Sequence, residues 1–285
     1  MDLEKYFDWE KIKEAEPALC RDCDSLEEAI SRCVELHDLF SLWRWAQAYE
    51  RGAMESADDL RHSTFPDLKK YHGSCVLSSK SYNGNPALKK AMRDHFCPDG
   101  FLEGDGYEAD TLTVLFVFRE SNISDDVTLE DGQITLKQGD GTDKAWLKKQ
   151  WDKVEGSERK DPYVSFMEQY VSFIEQHIQS AKADYTSIER IAAMNLNKRG
   201  GFGTCGDARL RHYAEVYKLF IGREIAIIDP GVIICGGTFG TVKELLPNEL
   251  ANRVKVWDCY HPRSRRDQDA GQIKKWVFEG SCRDA

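Results

Sequence analysis

From about residue 110 onward, short apolar runs rich in β-formers alternate with helical patterns, and this alternation constrains the fold more than any other feature. Four runs read as core strands: Thr111–Phe118 (TLTVLFVF), Ile188–Asn195 (IERIAAMN), Gly231–Gly237 (GVIICGG) and Arg253–His261 (RVKVWDCYH). Helical stretches lie between and after them, over Asp161–Gln179, Asp207–Ile225, Thr238–Leu250 (shortened by Pro247) and Gln268–Phe278. Strands joined through helices build βαβ units, hence a parallel sheet covered on both faces. The fold class expected is α/β, a three-layer α/β/α sandwich around a four-stranded, mainly parallel sheet. In such sheets ligands bind beyond the carboxyl ends of the strands.

The residues before this region read differently. Ser25 begins a helical stretch to Tyr49, with Glu28 three residues on in a capping-box pattern. Pro86–Phe96 reads as a further helix, and Trp43 and Trp45 read as packing residues. The expected organisation is a helical N-terminal extension over 1–105 and an α/β domain over 106–285. An insertion at about 123–161 carries a hairpin signal, Asp131-Gly132 between two β-rich triplets. It is either a lid or arm, or a surface decoration.

Composition excludes several classes. No apolar run reaches the ~20 residues that span a membrane, and the charged opening MDLEKYFDWEKIKEAE is not read as a signal peptide. Nine scattered cysteines suit free thiols in a reducing cytoplasm better than a disulfide framework. The net charge of −10 opposes generic nucleic-acid binding, which needs Lys and Arg against phosphate. Basic residues do cluster locally, however: Lys198, Arg199, Arg209 and Arg211 in one group, Arg263, Arg265 and Arg266 in another. A local basic face is compatible with an acidic total. Solvated loop charge is the plainer reading of both clusters.

The residues with chemistry fall where the strands end. The first is followed by Arg119-Glu120-Ser121-Asn122. The second ends in Asn195-Leu196-Asn197-Lys198-Arg199-Gly200-Gly201. The third ends in Gly236-Gly237-Thr238, and the fourth in Tyr260-His261-Pro262-Arg263. A carboxylate, two asparagines, a glycine turn and a histidine therefore converge. In extended chain Asn195 and Asn197 share a face.

Over Thr111–Phe278 these motifs, above all VLFVFRESN and YHPRSR, resemble the uracil-DNA glycosylase superfamily. The resemblance implies a monofunctional DNA glycosylase that hydrolyses the bond between sugar and base and leaves an abasic site. Glu120 stands at that family's Asp/Asn position and implies the carboxylate that orients water and stabilises the sugar cation. His261 implies the donor to the departing base. Asn195, with Asn197 as second choice, implies the reader of the base edge. Asn122 implies a pocket wall, and Phe202 or Tyr163 a stacking surface. Lys198, Arg199, Arg263, Arg265 and Arg266 imply contacts with DNA. Each also has a plain structural reading: Glu120 as a solvated carboxylate, His261 as a strand-end residue bonded to backbone, Asn195 as a turn residue.

Three departures bear on the substrate. Phe118 replaces the glycine of the first motif, Glu120 is one methylene longer than Asp, and Asn122 replaces a tyrosine that excludes 5-substituted bases. They point to a modified pyrimidine rather than plain uracil, and to a defence against phage as the matching role. Alternatives are hydrolysis of free nucleosides or nucleotides, which the acidic charge suits, and a catalytically silent nucleic-acid-binding module. No cofactor or metal is expected. Cys20-x-x-Cys23 lacks the second close pair that a cluster needs, and Gly236-Gly237-Thr238 lacks a full phosphate-loop pattern. The partner implied is DNA, single- or double-stranded. Neither the base removed nor the oligomeric state is legible.

Overall fold

A computed structural model describes residues 3–51, 96–102, 112–122, 127–130, 133–136, 162–181, 190–201 and 207–260; for 120–122, 127–130, 133–136, 162, 177–181, 190, 200–201 and 208–209 it describes the backbone alone. The chain forms two compact units, each discontinuous in sequence. One comprises Met1–Pro98, Glu120–Asp143 and Leu196–Ile227, the other Asp99–Arg119, Lys144–Asn195 and Ile228–Ala285. The sequence suggests a single cut near residue 105. The nearest junction is at 98/99, and the chain then passes repeatedly between the units.

The fold is α/β. A five-stranded, mainly parallel sheet has the order β1-β5-β2-β6-β7, from β1 (Gly100–Phe101), β2 (Thr113–Asn122), β5 (Arg190–Gly201), β6 (Val232–Gly236) and β7 (Lys255–Cys259). β2 pairs parallel with β6, and β6 parallel with β7. β1, the strand the sequence does not announce, pairs antiparallel with β5 at the sheet edge. Its two residues are too few to carry any periodicity.

The β-rich runs become strands because both faces of the sheet can bury them. Val114, Phe116 and Phe118 of β2 join Val232 and Ile234 of β6 on one face. There they meet the helix α4 (Pro162–Ala181) through Tyr163, Phe166, Met167, Tyr170, Phe173 and Ile174. Those helical positions recur at three- and four-residue spacing, so they form one stripe. Leu115, Val117, Ile233 and Cys235 point to the opposite face and are fully buried as well. Both faces are therefore covered, as in a sandwich.

The two further β-segments form a separate antiparallel hairpin, β3 (Val127–Glu130) with β4 (Gln133–Leu136). Its register pairs Glu130 with Gln133, so two residues connect the strands, as Asp131-Gly132 signals.

The first unit is helical at its start: α1 (Trp9–Ala15), α2 (Leu26–Arg32) and α3 (Leu36–Ala48). The Ser25 hydroxyl caps α2 by accepting from the Glu28 N–H at 3.2 Å, while Glu28 accepts from the Asp24 N–H. The stretch expected as one helix to Tyr49 breaks at Cys33, whose backbone turns extended and whose carbonyl accepts from the Arg223 guanidinium at 2.7 Å. An outside donor for that carbonyl stabilises the break. The helix expected over Asp207–Ile225 is interrupted once, at Tyr217, giving α5 (Asp207–Val216) and α6 (Lys218–Ile228). Past β6, α7 (Phe239–Leu245) and α8 (Asn248–Ala251) divide at Pro247. The helices expected over Pro86–Phe96 and Gln268–Phe278 lie, wholly or nearly so, outside the described residues.

Among the described residues no helix is long and apolar enough to cross a membrane. Phe116 is fully buried and packs against Phe118 and Phe166. Phe116→Ala should lower unfolding stability by about 3–5 kcal/mol in urea titration; a loss under 1 kcal/mol would contradict this core.

Candidate functional site

In an open parallel sheet the crevice for a ligand forms where the strand order reverses. Here the chain goes from β2 to β5 on one side and then to β6 on the other, so the reversal lies between β2 and β6. Val117 is in register with Cys235, and Cys235 with Asp258. Val117 of β2, Cys235 of β6 and Asp258 of β7 thus lie side by side within the second unit.

The turn after β6 is tied to both neighbouring strands. Gly237 adopts φ 73°, a left-handed conformation that glycine takes without strain. Its N–H donates to the Cys259 carbonyl of β7 at 2.8 Å. The Thr238 hydroxyl, 3 % exposed, donates to the Val117 carbonyl of β2 at 2.8 Å. Thr238 reads from sequence as part of a weak phosphate-loop pattern; in the fold it is a clamp. α7 makes a single short helix behind this turn and packs on β6 and β7.

Two strands run further than their apolar runs suggest, and this corrects the expectation that the candidate residues lie just after strands. β2 continues through Glu120 and Asn122, and β5 continues to Gly201. Asn195 and Asn197 are therefore interior strand residues, both buried. The edge explains the extension of β5: Leu102 donates to the Ile191 carbonyl at 2.9 Å, and Cys97 to the Lys198 carbonyl at 2.8 Å. Between them the Asp99 carboxylate accepts the Asn195 N–H at 2.6 Å. Asp99 also accepts from the Asn195 side-chain nitrogen at 3.4 Å. Asn197 accepts through its side-chain oxygen from the Arg199 N–H at 3.0 Å.

Lys198 and Arg199 need revision as DNA contacts, because both are buried inside the first unit. Lys198 is 0 % exposed and donates to Glu224 of α6 at 2.8 Å, with its ammonium 5.2 Å from the Trp43 ring centre and 5.4 Å from that of Phe40. Arg199 is bonded to Glu50 and donates to the Tyr217 hydroxyl at 3.1 Å. Tyr217 donates in turn to Glu50 at 2.6 Å. Beside them Trp43 donates to the Tyr213 hydroxyl at 3.1 Å, and Tyr213 to Gln47 at 2.6 Å. Burial holds the Tyr213 and Tyr217 hydroxyls well above their ordinary range, so both stay neutral donors. A charge so enclosed neutralises its partner rather than a phosphate.

The partner Glu224 carries a legible signal that pattern reading missed. It falls on the same stripe of α6 as Phe220, Ile221, Ile225 and Ile228, all buried. A carboxylate on an apolar stripe requires a buried cation. Asp99, in CPDGF, looks like a turn residue and gave no such signal.

Tyr163 is buried, edge-on to Phe118 at 5.0 Å, and so belongs to the core rather than to a stacking surface. The side chains of Glu120 and Asn122, and Phe202, His261, Arg263, Arg265 and Arg266 altogether, lie outside the described residues. A small cavity of about 140 Å³ opens in the first unit between Leu3, Phe7, Trp9 and Leu26 and includes none of the motif residues.

No group of metal-ligating residues forms among the described ones. Cys20, Cys23 and Cys33 are buried free thiols. Burial, with the neighbouring Cys23 second, pushes the Cys20 thiol up to about 11, and burial with Asp38 does the same for Cys33.

Two outcomes follow for measurement. Lys198→Ala should cost about 3–5 kcal/mol of stability by leaving Glu224 buried without its cation, while Lys198→Met with Glu224→Leu recovers most of it. An unchanged melting temperature for the single variant would contradict the internal pair. The buried thiols stay protonated while their unfolded counterparts ionise near pH 9. The unfolded state then binds fewer protons, so stability should fall as pH rises from about 9 to about 11. A shallower fall in Cys20→Ser/Cys33→Ser than in the parent checks the assignment, the remaining slope coming from the buried tyrosines and the other buried thiols; equal slopes would contradict it. No known protein family, curated protein or solved structure matches the chain.

Proposed function

We propose that the protein is a DNA glycosylase that hydrolyses the bond between sugar and base of a nucleotide drawn out of the stack. The observation that carries this reading is the parallel register of β2, β6 and β7, which sets Val117, Cys235 and Asp258 side by side where the strand order reverses. β2 contains Glu120, and in sequence His261 follows β7 by two residues; these belong to the two motifs of the resemblance. A switch point between them is where an α/β sheet binds its ligand.

The chemistry divides between two developing charges. As the bond to the base lengthens, positive charge gathers on the sugar and negative charge on the base. Glu120 serves the first, holding a water against the anomeric carbon and taking its proton as the new C–O bond forms. His261 serves the second by donating to the oxygen of the leaving base. Asn195 meets the base edge. Arg263, Arg265 and Arg266 take the phosphate contacts. The replacement of a tyrosine by Asn122 favours a pyrimidine with a 5-substituent over plain uracil.

One observation favours a second reading, hydrolysis of a free nucleoside or nucleotide. Burial of Lys198 and Arg199 withdraws two basic residues from DNA contact in a chain whose net charge is −10. A small substrate needs less phosphate neutralisation than a duplex does.

Base release, followed by mass spectrometry, separates the readings. The panel is duplex and single-stranded DNA carrying uracil or 5-modified pyrimidines, together with the matching free nucleosides. The expected result is release of a modified base from DNA, lowered by at least about a hundredfold in Glu120→Gln and in His261→Ala. Release from nucleosides alone moves the assignment to the second reading. Release of uracil alone overturns the proposed substrate. No release from any substrate, with DNA still bound, identifies a silent binding module.

A further inference from the structure

We propose that Asp99 is a positioning residue that fixes which way round the Asn195 amide faces, and so makes Asn195 a one-sided reader of the base edge. The inference rests on the reading of Asn195 as the residue that meets the base.

The Asp99 carboxylate accepts twice from one residue, from the Asn195 main-chain N–H at 2.6 Å and from its side-chain nitrogen at 3.4 Å. Asp99 is 7 % and Asn195 2 % exposed, so neither contact is diluted by bulk water. An ionised carboxylate offers only acceptors, whereas an amide offers a donor end and an acceptor end. With its nitrogen toward Asp99 the amide completes a hydrogen bond. Turned by half a rotation, it would set its oxygen against a carboxylate oxygen, two acceptors facing each other in a buried place. The main-chain bond holds the carboxylate itself in place, because it satisfies a buried N–H of β5.

An asparagine free to rotate can satisfy two kinds of base edge. One kind is the lactam edge, a ring N–H beside a carbonyl. The other is the amino edge, a ring nitrogen acceptor beside an exocyclic NH2. Their donor and acceptor positions are interchanged. An amide locked by Asp99 matches one order and meets the other with donor against donor and acceptor against acceptor. Discrimination between the two classes then depends on Asp99, a residue that never touches the base.

The test compares wild type with Asp99→Asn, whose carboxamide can face Asn195 either way round. Affinities are measured by fluorescence anisotropy for two oligonucleotides that differ only in a uracil or a cytosine opposite an abasic site, with a 2′-fluoro sugar to prevent cleavage. In parallel, the Asn195 side-chain amide signals are followed by 15N–1H NMR, assigned by their loss in Asn195→Asp. The expected result is a preference of at least about tenfold for one oligonucleotide in wild type, collapsing in Asp99→Asn as the amide signals shift. A folded Asp99→Asn protein with the wild-type ratio, or with unmoved amide signals, overturns the proposal. Wild type that binds neither oligonucleotide, with amide signals that respond to Asp99→Asn, overturns base reading while upholding the hold of Asp99 on Asn195. If Asp99→Asn does not fold, Asp99→Ser carries the same comparison, since its hydroxyl can donate as well as accept.

Discussion

The parallel hydrogen-bond ladder from β2 through β6 to β7 is the constraint on which the second unit depends. A parallel ladder sets direction as well as proximity, so three segments far apart in sequence run side by side in one direction. The side chains of β2 from Val114 to Phe118 and of β6 from Val232 to Cys235 are apolar and buried on both faces, while β7 exposes Lys255 and Asp258 at the edge. The turn at Gly237 and Thr238 then fixes the edge itself by bonding to β7 and to β2. A ligand crevice here would have walls that packing and backbone bonds have already made rigid, which suits a site that must hold a reactive geometry.

The first unit solves a different problem. The end of β5 carries two cations into a helical, aromatic interior, and each is matched there: Lys198 by Glu224 and two ring faces, Arg199 by Glu50 and Tyr217. Such pairs specify an arrangement more than they stabilise it, since breaking one leaves a buried charge while replacing both with apolar groups does not. Cationic groups employed in this way serve the fold and cannot also serve a phosphate backbone. A local run of Lys and Arg in sequence is thus not a basic surface until its partners are known.

Much of the fold was legible because its signals are local. Apolar β-rich runs marked β2, β5, β6 and β7, Ser25 with Glu28 marked the start of α2, and Asp131-Gly132 marked the hairpin. What was not legible depends on distant partners. β1 is two residues whose strand state exists only through β5. The extension of β5 past Asn195 depends on Cys97 and Asp99, and the end of α2 at Cys33 on Arg223, 190 residues away. The motif residues Asn195 and Asn197 were found by type and order, but their burial was not, because neither residue type nor spacing encodes which neighbour covers it. Asp99 sits in what reads as a turn, and the N–H it accepts, that of Asn195, lies 96 residues away.

The central claim is that the molecule works beside the ladder of β2, β6 and β7, at the turn of Gly237 and Thr238. Hydrogen–deuterium exchange, with and without a duplex carrying a stable abasic-site analogue, tests it most directly. The account predicts slowed exchange in the peptides that span the ends of these three strands, including the turn at Gly237 and Thr238. Unchanged exchange there, with protection confined to other segments such as the cavity beside Trp9, would contradict it.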